Sequence, residues 1–262
     1  SCYYGLDLPC NSFHESDLDM VDITTDDYMN SDTPFFSYYI TLSGHMTYSK
    51  TNKLVQKNWD LVKDLDYSDK VKGYLASNIE LDKALELLIN RLESSGKLDD
   101  TVIVLTPDHY PYGLSNKEIN EISETNRDDD FELYHSDLII WNNTMEKAVT
   151  VTKVGSNPDV LPTLLNLFGI EYDSRFIIGQ DLLSDSEGLV VFANRSFITD
   201  KIKYNSVNNS VISIDGKKID ETYINYMNNL VDNQFKISNL ILQTNYYEKV
   251  FKPNDNYIKS LQ

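Results

Sequence analysis

The sequence predicts an α/β fold, in which a sheet with helices on both faces is followed by an antiparallel β subdomain and a terminal helix. Three observations support this prediction. The run TVIVL at 101–105 is apolar and β-branched without polar alternation, which is typical of a strand covered on both faces. A long stripe of apolar residues at helical spacing precedes it. Short β-rich runs separated by Asn, Gly and Asp follow residue 188.

The first part of the chain carries signals for a buried strand and a long helix. Residues 1–33 are acidic and turn-rich, and we expect them to continue a core whose earlier part lies upstream. The apolar run 34–44, bounded by Pro34 and Gly44, indicates a buried strand. Ser68 is a candidate N-cap for a helix that Gly96 would end. With TVIVL, these elements predict a strand–helix–strand crossover.

The second half of the chain changes character near residue 188. Residues 136–143 (SDLIIWNN) resemble the earlier buried run, and a helix is predicted between Pro158 and Gly169. We therefore assign residues 34–187 to a partial α/β core. Residues 188–262 are assigned to an antiparallel sheet and a helix that starts near Glu221.

Composition excludes several functional classes. The chain has 262 residues, 41% of them hydrophobic, so it can bury a substantial core. Its net charge of -18 repels nucleic-acid phosphates and anionic headgroups, so we expect no nucleic-acid partner. The chain contains no apolar run near the roughly 20 residues that span a bilayer, and no signal-peptide order at its start. Because of the negative net charge, an anionic substrate would need a metal ion or a few local cations to bind.

The strongest chemical candidates are Asp108 and His109, directly after TVIVL. Ligands of open α/β sheets bind beyond the carboxyl ends of the strands. A carboxylate and an imidazole in one loop can face the same ion, and this donor pair suits Mn²⁺, Mg²⁺ or Zn²⁺. The structural alternative is that Asp108 caps the loop and His109 is a surface donor.

His45 lies in a similar position, just beyond the apolar run 34–44. It could donate to a phosphate oxygen or take part in proton transfer. Its structural alternative is a loop histidine with a local backbone partner. Three other polar residues are interpreted as helix caps or turn formers, namely Asp159, Thr163 and Asp181.

The two cysteines, Cys2 and Cys10, are interpreted as a small-loop disulfide or as free structural thiols. A zinc site is disfavoured there because His14 alone does not complete the usual four ligands.

Five segments together resemble the lipoteichoic acid synthases, a branch of the sulfatase-like alkaline phosphatase superfamily. They are TLSGHMTYS, VIVLTPDHYPYG, NPDVLPTLLNLFGI, IGQDLLS and FITDKIKY, and they run from about Thr33 to Lys203. The resemblance implies that Asp108 and His109 bind one Mn²⁺ or similar ion and that His45 contacts the phosphate or glycerol group. It also implies an extracellular, membrane-anchored parent that transfers glycerophosphate from phosphatidylglycerol to a growing polymer through a threonine intermediate.

Two departures from the family pattern bear on function. The family's threonine and glutamate lie upstream of the TLSGH-like segment and match no position here, so we expect the isolated chain to be inactive and to hold the ion weakly. The family's glycines around Asp-His-Tyr are replaced by Pro107 and Pro111, which fix φ and remove amide donors. Two alternatives stay open: another sulfatase-like phosphotransferase or phosphodiesterase, and a non-catalytic sulfatase-fold binding domain.

Overall fold

The computed structural model describes residues 16–250. The predictions for Cys2, Cys10 and His14 lie outside these residues. The chain divides into two compact units, residues 1–148 and 149–262. None of the helices in the described part combines the length and apolar character that a membrane crossing requires.

The first unit is mostly helical. Helices α3 and α4 pack along each other, and their contact buries Val55, Val62 and Ala76. Its elements are α1 (Asp17–Thr24), α2 (Asp26–Met29), α3 (Lys53–Val62), α4 (Asp69–Ser94), β1 (Ile103–Leu105), α5 (Asn116–Glu121), a 3₁₀ turn (Glu132–Tyr134) and β2 (Ile139–Trp141).

Helix α4 agrees with its predicted bounds. Ser68 is its N-cap residue, with extended backbone, and Gly96 follows its last turn with φ of 70°. A left-handed residue at this position is usually glycine, which explains why the sequence predicted the end of the helix correctly.

The prediction of a strand at 34–44 is wrong for the residues that the structure describes. The segment forms no strand and has no ladder partner, and Phe36, Tyr38 and Ile40 are 88%, 79% and 70% exposed. The predicted crossover therefore lacks its first strand, and β1 instead pairs with β2 in antiparallel register. The apolar pattern indicated burial, but a strand also needs neighbouring amides and carbonyls to pair with.

The second unit contains the antiparallel sheet and terminal helix that the sequence predicted, and both are confirmed. Four strands pair in the order β3-β4-β5-β6, and α7 covers Phe197 and Ile202 with Met227 and Val231. Its elements are α6 (Asn157–Leu167), a 3₁₀ turn (Ser174–Phe176), β3 (Leu189–Val191), β4 (Phe197–Thr199), β5 (Ile202–Asn205), β6 (Ser210–Ser213), α7 (Glu221–Gln243) and α8 (Tyr246–Val250).

The boundary between the units lies near residue 149, whereas composition had placed a boundary near residue 188. Asp200, just after β4, accepts hydrogen bonds from the backbone N–H groups of Val154 at 3.2 Å and Gly188 at 2.7 Å. This carboxylate ties residues near 154 to the antiparallel sheet. A change in composition does not reveal such a connection.

Candidate functional site

The predicted metal pair lies in the loop that follows β1. The Nδ1 atom of His109 lies 2.8 Å from the carbonyl oxygen of Tyr110, so Nδ1 carries the hydrogen and donates it. The Nε2 atom of neutral His109 therefore carries the lone pair. It lies 3.5 Å from Asp108 Oδ1. The loop thus presents one carboxylate oxygen and one imidazole lone pair side by side.

This donor pair fits a single divalent cation. Two metal–ligand bonds of about 2.1 Å, at tetrahedral or octahedral angles, separate the ligand atoms by roughly 3.0–3.4 Å. The observed separation of 3.5 Å needs only a small closure. The Asp108 and His109 side chains are 83% and 42% exposed, so an ion and its waters could approach them. Within residues 16–250, no group of three or more His, Cys, Asp or Glu residues could hold a metal ion.

His45 faces the same region, although it lies 64 positions earlier in the chain than His109. The centroids of the two imidazole rings are 6.2 Å apart and the rings are nearly perpendicular. The His45 Nδ1 lies 3.1 Å from the Met46 carbonyl oxygen and donates to it. The tertiary structure therefore brings together the three residues that the sequence singled out.

Tyr112 is the site residue that sequence reasoning missed. Its hydroxyl lies 2.9 Å from His45 Nε2, and its ring centroid lies 4.7 Å from that of His109. Because His45 Nδ1 is the donor to Met46, the Tyr112 hydroxyl donates to Nε2 of neutral His45. The only signal in the sequence was its position three residues after the metal pair. We call His45, His109 and Tyr112 the aromatic cluster.

A buried core lies next to the loop that carries His109 and Tyr112. Tyr48, Leu114 and Ile119 form this core. Burial raises the pKa of Tyr48 to about 12, and Tyr74 and Tyr112 add to the effect, so Tyr48 stays neutral and acts as a packing residue. A Cβ at Gly113 would lie 2.7 Å from the Tyr48 ring, so glycine allows the loop to approach this core.

The loop after the metal pair turns sharply at Pro111. The Pro111 carbonyl accepts from the Leu114 N–H at 2.8 Å, and the Tyr112 N–H donates to the Tyr110 carbonyl at 2.8 Å. The proline ring therefore belongs to a turn that directs Tyr112 back over His109. Proline does not interfere here because the first bond uses its carbonyl group, the second does not involve it, and neither requires its missing N–H.

The polar residues of α6 have structural roles, as the sequence predicted. Asp159 accepts from the N–H groups of Ser156 at 2.7 Å and Gln180 at 2.8 Å, completing a capping box. The Thr163 hydroxyl donates to the Asp159 carbonyl and accepts from the Leu182 N–H at 2.9 Å. Asp181 Oδ1 accepts from the Leu183 N–H, two residues later, which is the bond of an Asx turn.

Comparison with known proteins gives consistent matches. The family model described as Sulfatase matches residues 11–170. The lipoteichoic acid synthase of Staphylococcus saprophyticus is 31% identical over 176 residues, which cover 65% of this chain and 26% of that protein. That of Staphylococcus aureus strain USA300 is 32% identical over 186 residues, covering 69% and 28%. The chain thus spans about a quarter of the length of these relatives.

Solved structures support the predicted fold. The crystal structure of the lipoteichoic acid synthase LtaP from Listeria monocytogenes aligns with a TM-score of 0.64 and 21% identity, covering 83% of this chain and 60% of that chain. The crystal structure of Ps i-CgsB aligns with a TM-score of 0.56 and 16% identity, covering 80% and 50%. At these identities the alignments show the fold alone, and they confirm the predicted sulfatase-like α/β fold.

Proposed function

The chain belongs to the sulfatase family, and on this premise we propose that it is part of an extracellular, metal-dependent phosphoglycerol transferase of the lipoteichoic acid synthase type. The relatives identify an enzyme of the sulfatase or phosphotransferase type. The reaction we propose is the transfer of glycerophosphate from phosphatidylglycerol to a polymer. The observation that carries the proposal is the 3.5 Å approach of Asp108 Oδ1 and His109 Nε2, with His45 facing the pair.

We assign the metal site to Asp108 and His109, with Mn²⁺ as the proposed ion and Mg²⁺ or Zn²⁺ as alternatives. Enzymes of this superfamily generally use a metal ion. The hydrogen bond from His109 Nδ1 to the Tyr110 carbonyl holds the ring and its tautomer, so that Nε2 presents its lone pair. When bound, such an ion neutralises charge on phosphoryl oxygens and lowers the pKa of a coordinated hydroxyl group.

We assign His45 to substrate binding. Its Nε2 is occupied by the Tyr112 hydroxyl at 2.9 Å, a contact of the size and polarity that a glycerol hydroxyl or a phosphate oxygen could replace. Neutral His45 would accept from a glycerol hydroxyl, and protonated His45 would donate to a phosphate oxygen. Tyr112 lies on an exposed loop, so its ring can move aside when substrate enters.

The nucleophile is not assigned to this chain. In the lipoteichoic acid synthases that the chain resembles, the threonine precedes the segment that matches TLSGHMTYS, and no residue here takes its place. We propose that the parent protein carries this threonine and is anchored at the extracellular face of the membrane. The chain alone should therefore release no glycerophosphate from phosphatidylglycerol vesicles, and measurable release would contradict this part of the proposal.

The metal site can be tested on the chain itself by Mn²⁺ titration, followed by electron paramagnetic resonance. We expect weak binding, because the loop supplies only two protein ligands, and we expect Asp108→Asn and His109→Gln to abolish it. His135 is a matched control, because it is an exposed histidine whose Nδ1 lies 3.6 Å from the Glu132 Oε2 carboxylate oxygen. Equal effects of His135→Gln and His109→Gln would refute the assignment.

The substrate role of His45 can be tested separately with sn-glycerol 1-phosphate as the probe. Its addition should shift the imidazole signals of His45 in NMR spectra and leave those of His135 unchanged. His45→Gln should abolish binding of the probe while Mn²⁺ binding persists. If wild-type His45 shows no response, the substrate role is wrong.

A non-catalytic binding domain is the second candidate function. The sequence feature that favours it is Pro107, directly before Asp108, because Pro111 fits the turn that follows the metal pair. This candidate predicts no Mn²⁺ binding that depends on His109, so the same titration separates the two.

A further inference from the structure

Two buried carboxylates lie close to the segment that carries His45, and the proposed reaction uses neither of them. Asp17 and Glu80 are both fully buried, with 0% exposure. Asp17 is the first residue of α1, and Glu80 lies in the middle of α4. Burying an ionised carboxylate is costly unless hydrogen bonds or opposite charges compensate it, so their partners indicate what they do.

Both carboxylate oxygens of Asp17 accept from the segment just before His45. Asp17 Oδ1 accepts from the Leu42 N–H at 2.8 Å, and Oδ2 accepts from the Ser43 N–H at 3.0 Å. In return, the Asp17 N–H donates to Ser43 Oγ at 2.8 Å. The Leu42 carbonyl then accepts from the His45 N–H at 3.0 Å. We call residues 42–46 the His45 loop.

These partners are unusual for an acidic residue in the first turn of a helix, because they belong to a distant segment. Such a residue ordinarily interacts with the free N–H groups of its own helix. In α1 that role belongs to Ser16, whose hydroxyl accepts from the Asp19 N–H at 3.2 Å. Asp17 therefore directs its two acceptors to a segment 25 and 26 positions away in sequence.

Glu80 anchors the start of α1 to α4. Its Oε1 accepts from the Ser16 hydroxyl at 2.5 Å and from Lys57 Nζ at 2.8 Å. Desolvation acts to raise the pKa of Glu80, but the bonds from Lys57 and Ser16 keep it below its ordinary value. Glu80 is thus ionised at neutral pH and holds Ser16 in place, directly beside Asp17.

The opposite side of the His45 loop is also confined. A Cβ at Gly44 would lie 2.7 Å from the side-chain oxygen of Asn78, which belongs to α4. The loop is therefore held between the Asp17 carboxylate and the surface of α4. A loop confined on two sides has few alternative backbone positions, so these contacts fix the backbone from which the His45 ring projects.

We propose that Asp17 is a positioning residue, which fixes the His45 loop and thereby places the His45 ring opposite the metal pair. This inference rests on the proposed role of His45 in binding substrate. Asp17 acts through the backbone of Leu42 and Ser43, and Glu80 supports it from α4.

Asp17→Asn tests the proposal with almost no change in volume. The amide keeps one acceptor oxygen but presents an NH₂ group to the second backbone N–H, so one bond is replaced by a contact between two donors. The matched control is Asp19→Asn, which removes the same charge from the exposed side of the same helical turn.

The measurement is NMR on the full 262-residue chain. In the wild type, we expect amide exchange of Leu42 and Ser43 to be slowed at least 100-fold relative to an unstructured peptide. In Asp17→Asn, exchange at one or both should accelerate at least tenfold, and the His45 imidazole signals should shift while those of His135 do not. The affinity for sn-glycerol 1-phosphate should fall about tenfold. Asp19→Asn should match the wild type throughout.

Unprotected Leu42 and Ser43 amides in the wild type would overturn the proposal, as would unchanged His45 signals in Asp17→Asn. The wild-type exchange rates decide the question even if the variant does not fold. If wild-type His45 fails to respond to sn-glycerol 1-phosphate, the substrate role of His45 is wrong. A shift of the His45 signals in Asp17→Asn would then still support positioning by Asp17.

Discussion

Gly73 offers a direct test of how closely α4 approaches the segment after the His45 loop. A Cβ at this position would lie 2.4 Å from the Tyr48 carbonyl oxygen and 2.6 Å from its carbonyl carbon. Ordinary contacts begin near 3.4 Å, so the backbone at Tyr48 must retreat by about 1 Å. Backbone atoms yield less readily than the end of a flexible side chain, and Tyr48 is itself buried, with a relative exposure of 7%.

The expected effect of Gly73→Ala is a balance of two terms. Replacing glycine by alanine inside a helix contributes about 1 kcal/mol of stability. Overpacking a close contact costs about 1–3 kcal/mol, and more where backbone must move. We expect the free energy of unfolding to fall by about 2 kcal/mol. For a unit of this size, Tm should fall by about 4–8 °C.

Urea and thermal unfolding followed by circular dichroism would measure this change. Asp82→Ala is the matched control, because Asp82 lies on the exposed face of the same helix and its replacement should alter stability by no more than about 0.5 kcal/mol. A Gly73→Ala variant as stable as the wild type would show that α4 does not press against Tyr48, and the packing argument would fail.

Two further predictions concern the buried carboxylates of Asp159 and Glu80, and one concerns the aromatic cluster. Asp159→Ala should lower the free energy of unfolding by about 3 kcal/mol, because two backbone N–H groups lose a charged acceptor. Glu80→Gln should cost about 2 kcal/mol at pH 7, because Lys57 loses its partner. Since the pKa of Glu80 is lowered from 4.5, its stabilisation is present above that pH and is lost as pH falls through the folded-state value. Tyr112→Phe should shift the His45 imidazole signals and leave binding of sn-glycerol 1-phosphate equal or tighter, because substrate replaces this hydroxyl.

Each of these predictions has a result that contradicts it. A loss at Asp159→Ala no larger than at exposed Asp185→Ala would remove the capping argument. A difference between Glu80→Gln and the wild type that stays constant from pH 7 to pH 3 would show that Glu80 does not gain stability from ionisation. Loss of glycerol phosphate binding in Tyr112→Phe would make Tyr112 a direct substrate ligand.

The elements that the sequence predicted well are those whose ends are set by local chemistry. Ser68 and Gly96 bound α4, and Ser156 and Asp159 begin α6 with a capping box. The Ser156–Asp159 box satisfies backbone groups within a few residues, whereas Ser68 and Gly96 supply only the backbone conformations of helix ends. Both kinds of end favour particular residue types, which are visible in the sequence. The strands β3 to β6 follow the same logic, because each lies only a short turn from its partner.

The segment 34–44 shows where this reasoning stops. Its apolar residues match those of a buried strand, yet Phe36 and Tyr38 lie on an exposed face. Only residues such as Tyr39, whose hydroxyl contacts those of Thr24 and Tyr28, face the helices of the first unit. Apolar content predicts that a segment prefers burial, but it does not specify which partner supplies the cover.

The candidate site likewise contains residues that the sequence could predict and residues that it could not. The sequence predicted Asp108 and His109 because they lie in the loop that follows a strand. Tyr112 carried no distinguishing signal, and Asp17 is one of 41 acidic residues in the chain. The role of Asp17 depends on the backbone N–H groups of Leu42 and Ser43. Contacts between a side chain and a distant backbone leave no residue pattern, so only the structure could reveal this role.

Different contacts hold the metal pair and His45, so we expect one variant to affect them separately. The metal pair is two adjacent residues whose geometry is set within one loop, by the bond from His109 to the Tyr110 carbonyl. His45 depends instead on Asp17 and on the approach of α4 to the loop. Asp17→Asn, which acts on the His45 loop and not on Tyr48, should therefore disturb the His45 imidazole signals and weaken glycerol phosphate binding. The same variant should leave Mn²⁺ binding unchanged, because binding the ion and placing the substrate depend on separate contacts.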